Sequence, residues 1–167
     1  MCCEQGGCAV SLSGIGYDCH RLVPGRKLIL GGVEIPHEQG LDGHSDADVL
    51  VHAIIDALLG GAGLGDIGEH FPDTDESYRD ADSLALLETV VTNVIASGLE
   101  IVNVDSTIIV ERPKIGPHKQ AIRESLARAL GLAPARVNVK ATTGEGMGFV
   151  GRAEGVAALA VAGLRSR

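Results

Sequence analysis

The sequence has 167 residues, of which 45% are hydrophobic and 22% charged, which is typical of a single globular domain. Only 2% are aromatic, so the core must be aliphatic and nucleic-acid binding by aromatic stacking is disfavoured. The net charge of −8 repels nucleic acids and anionic membranes, so an anionic ligand would need locally placed cations. No stretch reaches the roughly 18 apolar residues of a transmembrane helix, and we expect a cytoplasmic protein with no membrane or nucleic-acid partner.

The cysteines are crowded at the start of the chain, at Cys2, Cys3, Cys8 and Cys19. A disulfide framework would distribute them along the domain instead. We expect residues 1–12, which are rich in Gly and Cys, to be a flexible leader, and residues 13–167 to form one domain. A metal-binding or redox role for Cys2, Cys3 and Cys8 is the alternative interpretation.

The first predicted elements are a short strand, a hairpin and a helix. The strand covers residues 13–18 and ends at Asp18-Cys19-His20, where it presents polar side chains. Residues 27–35 predict a hairpin with a two-glycine turn. The run Ser45-Asp46-Ala47-Asp48 resembles a capping box and predicts a helix that ends near Leu59, before Gly60-Gly61.

The rest of the chain predicts two more helices and at least two more strands. Residues 60–80 have no clear period and predict a long loop, a feature that is usually functional or mobile. The further elements are helices at 82–97 and 117–130, strands at 99–110 and 137–142, and an apolar run at 155–164 that periodicity leaves open between strand and helix. This order favours a two-layer α/β sandwich with helices on one face of the sheet.

Two polar patterns carry candidate chemistry. Asp18 and His20 are two residues apart on a strand, so both side chains lie on one face. Asp48, His52 and Asp56 are spaced by four and form a stripe along the predicted helix. On an ordinary exposed helix face, acidic residues pair with Lys or Arg. This stripe has neither, so a cation is the missing partner. An ordinary surface location is the alternative for each pattern.

Asp18, His20 and His52 together offer one carboxylate and two imidazoles. This set suits a zinc ion with three protein ligands and an open fourth position. Asp48, or a nearby carbonyl, is a candidate acceptor for the second ring proton of a histidine ligand.

Two segments suit a polyphosphate. His44 and Ser45 lie at a predicted helix N-terminus, where free backbone N–H groups and the helix dipole favour anions. Residues 142–145 follow a strand end, and the Gly-rich stretch over 144–155 lets backbone amides approach oxygens closely. A flexible loop is the alternative for that stretch.

The chain contains, in order, the segments GIGYDCHRL, GHSDADVLVHAIIDALLGGAGLGDIGEHFPDTD, ERPKIGPH and VNVKATTGEGMGFVGRAEG. Over about residues 13–165 these resemble the 2-C-methyl-D-erythritol 2,4-cyclodiphosphate synthase family of the non-mevalonate isoprenoid pathway. The resemblance implies a ferredoxin-like mixed sheet with helices on one face. It also implies a homotrimer with sheets around the threefold axis and active sites between subunits, and that the last apolar run is a strand.

The reaction that the resemblance implies is intramolecular. The 2-phosphate of 4-diphosphocytidyl-2-C-methyl-D-erythritol 2-phosphate attacks the β-phosphorus of the diphosphate, releases CMP and closes a cyclic diphosphate. The implied metals are zinc on Asp18, His20 and His52, and Mg or Mn bridging the substrate diphosphate from the side of Glu145. His44, Thr143 and Glu145 are the implied catalytic residues, of which the first two match transition-state stabilisers.

The resemblance also implies a set of substrate contacts. Around the metal and the mobile loop they are Asp18, His20, His44, Ser45, Asp66, Ile67, Gly68, Phe71, Asp73 and Asp75, and Asp73 is the implied partner of substrate hydroxyls. Around the cytidine they are Val110, Lys114, Ile115, Gly116, Thr142, Thr143 and Glu145. The set also includes Phe149 and Arg152. Arg152 and Glu154 match a pair beside an apolar cavity on the trimer axis, which is a candidate site for an isoprenoid diphosphate.

Two residues depart from the family pattern, and two other functions stay open. Cys19 stands where Val, Ala or Thr is expected, and Gly144 where Thr or Asn is usual. A zinc-dependent phosphohydrolase would use the same open metal position to cleave a phosphoanhydride. A non-catalytic trimeric binding module, with structural Asp and His residues, is the non-enzyme alternative.

Overall fold

A computed structural model of the protein describes residues 11–167. The predicted leader therefore lies largely outside the described residues, as do Cys2, Cys3 and Cys8. Ser11 and Leu12, which the prediction placed in the leader, belong to the first strand.

The described chain opens with four strands, after which helices and the remaining strands are interspersed. The strands are β1 Ser11–Pro24, β2 Leu28–Leu30, β3 Val33–Ile35, β4 Gln39–Leu41, β5 Leu99–Ile109, β6 Val137–Thr142 and β7 Gly155–Ser166. The α-helices are α1 Val49–Ala62, α2 Ile67–His70, α3 Ser83–Ala96, α4 Lys119–Leu130 and α5 Gly148–Gly151, with short 3-10 helices at Glu76–Tyr78, Gly116–His118 and Pro134–Arg136.

One mixed sheet with the order β4-β1-β7-β5-β6 forms the first layer. Only β5 and β6 pair in parallel among these neighbours, whereas β2 and β3 form a separate hairpin. Helix α1 packs on β1 and β7, α3 packs on α1, and α4 packs on α3 and β6. The predicted α/β sandwich is confirmed, and the apolar run over 155–164 is a strand.

The prediction that the first strand ends at Asp18-Cys19-His20 is wrong. Strand β1 continues through these residues because β7 pairs with it as far as Arg21 opposite Gly155. Beyond that point β4 takes over as its partner, with Leu22 opposite Leu41. Asp18 and His20 therefore lie inside a paired strand, on the face that packs against α1.

The prediction that Gly60-Gly61 ends the first helix is also wrong, because α1 runs to Ala62 and is closed by Gly63 at φ +68°. Gly61 instead lies against β1. A Cβ on Gly14 would lie 2.4 Å from the Gly61 nitrogen and 2.0 Å from the Ala57 oxygen. These glycines permit close packing of strand and helix rather than a turn.

Gly16 offers a direct test of this close packing. A Cβ at that position would lie 1.9 Å from the Ala53 carbonyl oxygen, a backbone atom of α1 that cannot move without the helix. We expect Gly16→Ala to lower the free energy of unfolding by at least about 2 kcal/mol. Gly60→Ala is the matched control: no atom lies within 4 Å of its Cβ position, and a helical alanine adds up to about 1 kcal/mol. Denaturant unfolding at equal protein concentration compares the two, and equal stabilities would refute the packing argument.

The remaining predicted elements agree with the structure to within a few residues. Helix α3, strands β5 and β6 and the hairpin are confirmed. The predicted helix over 117–130 is divided, since its first turn is the 3-10 helix before α4. The predicted loop over 60–80 contains the end of α1, all of α2 and a 3-10 helix. Strand β4 and helix α5 had no prediction.

Candidate metal centre and substrate cavity

Asp18, His20 and His52 converge on one point between β1 and α1. Asp18 Oδ2 is 2.9 Å from His20 Nε2 and 3.0 Å from His52 Nδ1, and the two nitrogens are 3.2 Å apart. The close approach of α1 to Gly16 brings His52 to the strand, because the contact atom belongs to the neighbouring Ala53. The predicted meeting of these three side chains is confirmed.

The outer nitrogen of each imidazole has its own partner. His20 Nδ1 donates to the Asp42 carbonyl oxygen at 2.6 Å, so its Nε2 presents a lone pair to the centre when the ring is neutral. His52 Nε2 lies 3.0 Å from Ser83 Oγ and 3.2 Å from Ser45 Oγ. Sequence reasoning missed Ser83, which is the first residue of an ordinary apolar helix and has no local signal of a role at a metal site.

The three convergent atoms fit a divalent cation. Ligands about 2.0–2.1 Å from a tetrahedral zinc ion lie roughly 3.3 Å from one another, close to the edges of this triangle. Burial of Asp18 opposes its ionisation, but its contacts with the imidazoles of His20 and His52 outweigh burial and lower its pKa below the ordinary value. Burial likewise opposes protonation of His20, but Asp18 outweighs it and raises the pKa of His20. The side chains are only 12–26% exposed, so a bound cation would be shielded from water.

Asp48 does not take part in this centre, which corrects two predictions. It is the N-cap of α1, where its carboxylate accepts from Val51 N at 3.1 Å and from Gly32 N at 2.7 Å. Helix α1 therefore begins after Asp48 rather than at Ser45, because Ala47 has a φ of +57° that no helix accommodates. Burial raises the pKa of Asp48 to about 6, against the opposing effect of the backbone donors.

Asp56, the third member of the predicted stripe, holds a loop rather than the metal centre. Its Oδ1 accepts from Ile67 N at 2.8 Å and so fixes the start of α2 to α1. Burial raises the pKa of Asp56, and the hydrogen bond from Ile67 N opposes this rise without cancelling it. The stripe of Asp48, His52 and Asp56 thus divides into a helix cap, a metal-centre residue and a loop anchor.

A cavity of about 470 Å³ opens over the triangle. Six further residues of the predicted substrate set line it, namely His44, Ser45, Ile67, Gly68, Phe71 and Asp73. Asp66 and Asp75 are not among the lining residues and act as N-caps, of α2 and of the 3-10 helix that follows. The Asp75 carbonyl also accepts from His44 Nε2 at 3.1 Å, which orients that imidazole.

The predicted cytidine residues form a second cavity of about 230 Å³. Val110, Lys114, Ile115, Gly116, Thr142 and Thr143 all line it. Beside it, the Thr143 hydroxyl donates to Glu145 Oε1 at 2.7 Å, and Gly144 N donates to Glu111 Oε2 at 3.1 Å. A Cβ on Gly144 would lie 2.6 Å from Gly151 N, so the tight turn explains the glycine at this position.

The structure of a single chain keeps these two cavities apart, since their lining residues do not overlap. Phe149 and Glu154 lie elsewhere, in a shallow pocket with Cys19, whose side chain is exposed on the opposite face of β1 from Asp18. Arg152 forms an ion pair with Glu154 at 2.8 Å. One chain therefore does not bring the whole predicted substrate set together.

No helix formed by residues 11–167 combines the length and the apolar character that crossing a bilayer requires.

Comparisons with known proteins agree with this geometry. A curated 2-C-methyl-D-erythritol 2,4-cyclodiphosphate synthase from Symbiobacterium thermophilum is 60% identical over 93% of this chain and 99% of its own length. The bifunctional IspDF from Campylobacter jejuni matches with a TM-score of 0.93 and 43% identity, over 96% of this chain and 43% of that protein. A CDP-bound 2C-methyl-D-erythritol-2,4-cyclodiphosphate synthase matches with a TM-score of 0.83 and 40% identity, over 90% of this chain and 97% of that protein. The family model of the YgbB family covers residues 12–165, and the chain belongs to this family.

Proposed function

We propose that the protein is a metal-dependent cyclase that converts 4-diphosphocytidyl-2-C-methyl-D-erythritol 2-phosphate to 2-C-methyl-D-erythritol 2,4-cyclodiphosphate and CMP. The observation that carries this proposal is the triangle of Asp18, His20 and His52 at the base of a cavity, in a chain 60% identical to a synthase of that name. The reaction belongs to isoprenoid precursor biosynthesis.

The chemistry needs no protein nucleophile, because the substrate supplies both the attacking phosphate and the leaving group. The protein must hold two mutually repulsive phosphates in line and stabilise charge at the β-phosphorus. His44 and Thr143 are the side chains that would donate to phosphoryl oxygens. In the free chain the His44 Nε2–H is donated to the Asp75 carbonyl and the Thr143 hydroxyl to Glu145 Oε1, so the substrate would have to displace these acceptors. Asp73 on the loop is the acceptor for substrate hydroxyls, and Ile67 and Gly68 are further substrate contacts in the same cavity.

Two cations complete the proposed site. Asp18, His20 and His52 would hold zinc, and Glu145 would hold a Mg or Mn ion that neutralises charge on the substrate diphosphate. A divalent cation neutralises phosphate charge and polarises a phosphoryl oxygen. The chain has a net charge of −8 and does not supply this neutralisation by itself. The Thr143 hydroxyl holds the Glu145 carboxylate ready for this role.

The cytidine would occupy the second cavity. Lys114 places a positive charge there for the diphosphate, and the backbone over 110–116 and 142–145 offers donors and acceptors for the base. The CDP-bound relative, at 40% identity over 90% of this chain, supports a cytidine diphosphate ligand.

A homotrimer would unite the two cavities. The sheet face that the helices leave uncovered carries apolar side chains that are too exposed for an isolated chain: Ile15 is 72%, Tyr17 51% and Val161 45% exposed. Strand pairing places Ile15 directly opposite Val161, so these residues form one patch. Packing three such faces around an axis buries the patch and lets the metal cavity of one subunit meet the cytidine cavity of its neighbour. Arg152 and Glu154 would lie near that axis, where an isoprenoid diphosphate is the candidate ligand.

The nature of the phosphorus product tests the proposal. Phosphorus NMR of the reaction in heavy-oxygen water should show CMP and a cyclic diphosphate, with no solvent oxygen incorporated. A zinc phosphohydrolase would instead give linear phosphates that carry solvent oxygen. A non-catalytic binding module would leave the substrate unchanged, and either result would refute the cyclase.

A further inference from the structure

We propose that Ser83, held by Asp46, is a positioning residue that selects the tautomer of His52 and aims its Nδ1 at the metal. Ser83 is the first residue of α3 and is fully buried, and it stands 31 positions after His52 in the chain. This inference rests on the proposed metal centre, whose ligands are Asp18, His20 and His52.

The direction of the hydrogen bonds follows from the donors available. The Ser83 hydroxyl makes a short contact with Asp46 Oδ1, and a carboxylate has no proton to give, so Ser83 is the donor there. A hydroxyl has only one hydrogen. The same Ser83 Oγ, 3.0 Å from His52 Nε2, must therefore accept, and His52 carries its proton on Nε2. A neutral ring then presents a bare Nδ1 to Asp18 and His20.

The tautomer with the proton on Nδ1 also has hydrogen-bond partners for both ring nitrogens, so a further group is needed to select between the two tautomers. With the proton on Nδ1, His52 would donate to Asp18 Oδ2 at 3.0 Å, and the Ser45 hydroxyl would donate to Nε2 at 3.2 Å. Among residues 11–167, only Ser83 opposes this arrangement, because its oxygen would then face a second lone pair at 3.0 Å. That tautomer would place a proton where the metal must bind.

Asp46 is itself fixed by backbone groups. Its Oδ1 accepts from Asp48 N at 3.2 Å and its Oδ2 accepts from Ser83 N at 3.1 Å, while its own N–H donates to the Ala81 carbonyl at 3.1 Å. These contacts join the segment before α1 to the start of α3. The hydroxyl of Ser83 therefore has little freedom to turn away from Asp46, and the relay Asp46-Ser83-His52 is preorganised before a metal arrives.

Zinc affinity provides the first test, measured by chelator competition on purified full-length protein. We expect Ser83→Ala to weaken zinc binding by about 10–100-fold, the range typical of partners of metal-bound histidines. Ser106→Ala is the matched control, because it removes an equally buried serine hydroxyl whose partner is the Asn138 carbonyl in the sheet, and its affinity should stay within about twofold of wild type. Equal affinities in wild type and Ser83→Ala would overturn the assignment.

Nitrogen NMR of the imidazoles in zinc-free wild type provides a second test that does not depend on a Ser83 variant. His52, assigned through the signal missing in His52→Ala, should show the proton on Nε2 when its ring is neutral. A proton on Nδ1 would overturn the role of Ser83. Failure of wild type itself to bind zinc would instead refute the metal centre, so the two failures are distinguishable.

Discussion

Replacement of His52 by alanine should abolish zinc binding and lower the rate of CMP release by more than about 100-fold, since even partners of metal ligands contribute 10–100-fold. The loss follows from the geometry, because His52 supplies one of the three donor atoms that converge in the part of the chain that the structure describes. Bound zinc is measured by elemental analysis of the purified protein and turnover by CMP release.

His118→Ala is the matched control for this substitution. It also removes an imidazole, but from the 3-10 helix before α4, and His118 does not line the metal cavity. Zinc content and activity should be unchanged in that variant. The oligomeric state of His52→Ala, from light scattering, should equal that of wild type. Retention of zinc and turnover by His52→Ala would contradict the proposed centre.

Two inactive variants should restore activity when their subunits are mixed. His52→Ala disables the metal cavity, and Glu145→Ala disables the side that faces the diphosphate. We propose that each active site joins the metal cavity of one subunit to the cytidine side of its neighbour. A site is then intact where the metal cavity of a Glu145→Ala chain meets the cytidine side of a His52→Ala chain. A cyclic trimer that contains both variants has one such intact site among its three, so mixed trimers should recover about a third of the wild-type activity.

Co-expression of differently tagged chains, followed by purification through both tags in succession, supplies the mixed oligomers for this assay. Mixed oligomers that carry both substitutions in one chain and none in the other are the control, since they should also show intact sites and report any loss caused by tagging. Absence of recovery in the complementary pair, while the control is active, would place the whole site within one chain.

The metal triangle was predictable because its signals are local. Asp18 and His20 obey the period of a strand, and His52 stands in a helix whose stripe lacks basic partners. The partners that orient the triangle were not predictable in the same way. Ser83 reaches His52 only through packing of α3 on α1, and the acceptor for His20 is a backbone carbonyl that any residue at position 42 would provide.

The errors in the predicted elements have tertiary causes as well. Gly61 resembles a helix terminator in isolation, but its lack of a side chain serves the contact with Gly14 on β1. The serine of the run 45–48 resembles a cap, whereas the positive φ of Ala47 delays the helix, so that Asp48 is its N-cap. In the first case a contact with a distant segment decides how the local propensity is used, and in the second the backbone conformation of Ala47 does.

The most direct measurement is anomalous diffraction at the zinc edge from crystals of the zinc-loaded protein with CDP. We predict one strong peak per subunit within bonding distance of Asp18 Oδ2, His20 Nε2 and His52 Nδ1, with a phosphate oxygen of CDP in the remaining position. The cytidine should lie against Lys114 of an adjacent chain. A peak bound by other atoms, or CDP bound away from the triangle, would contradict the account.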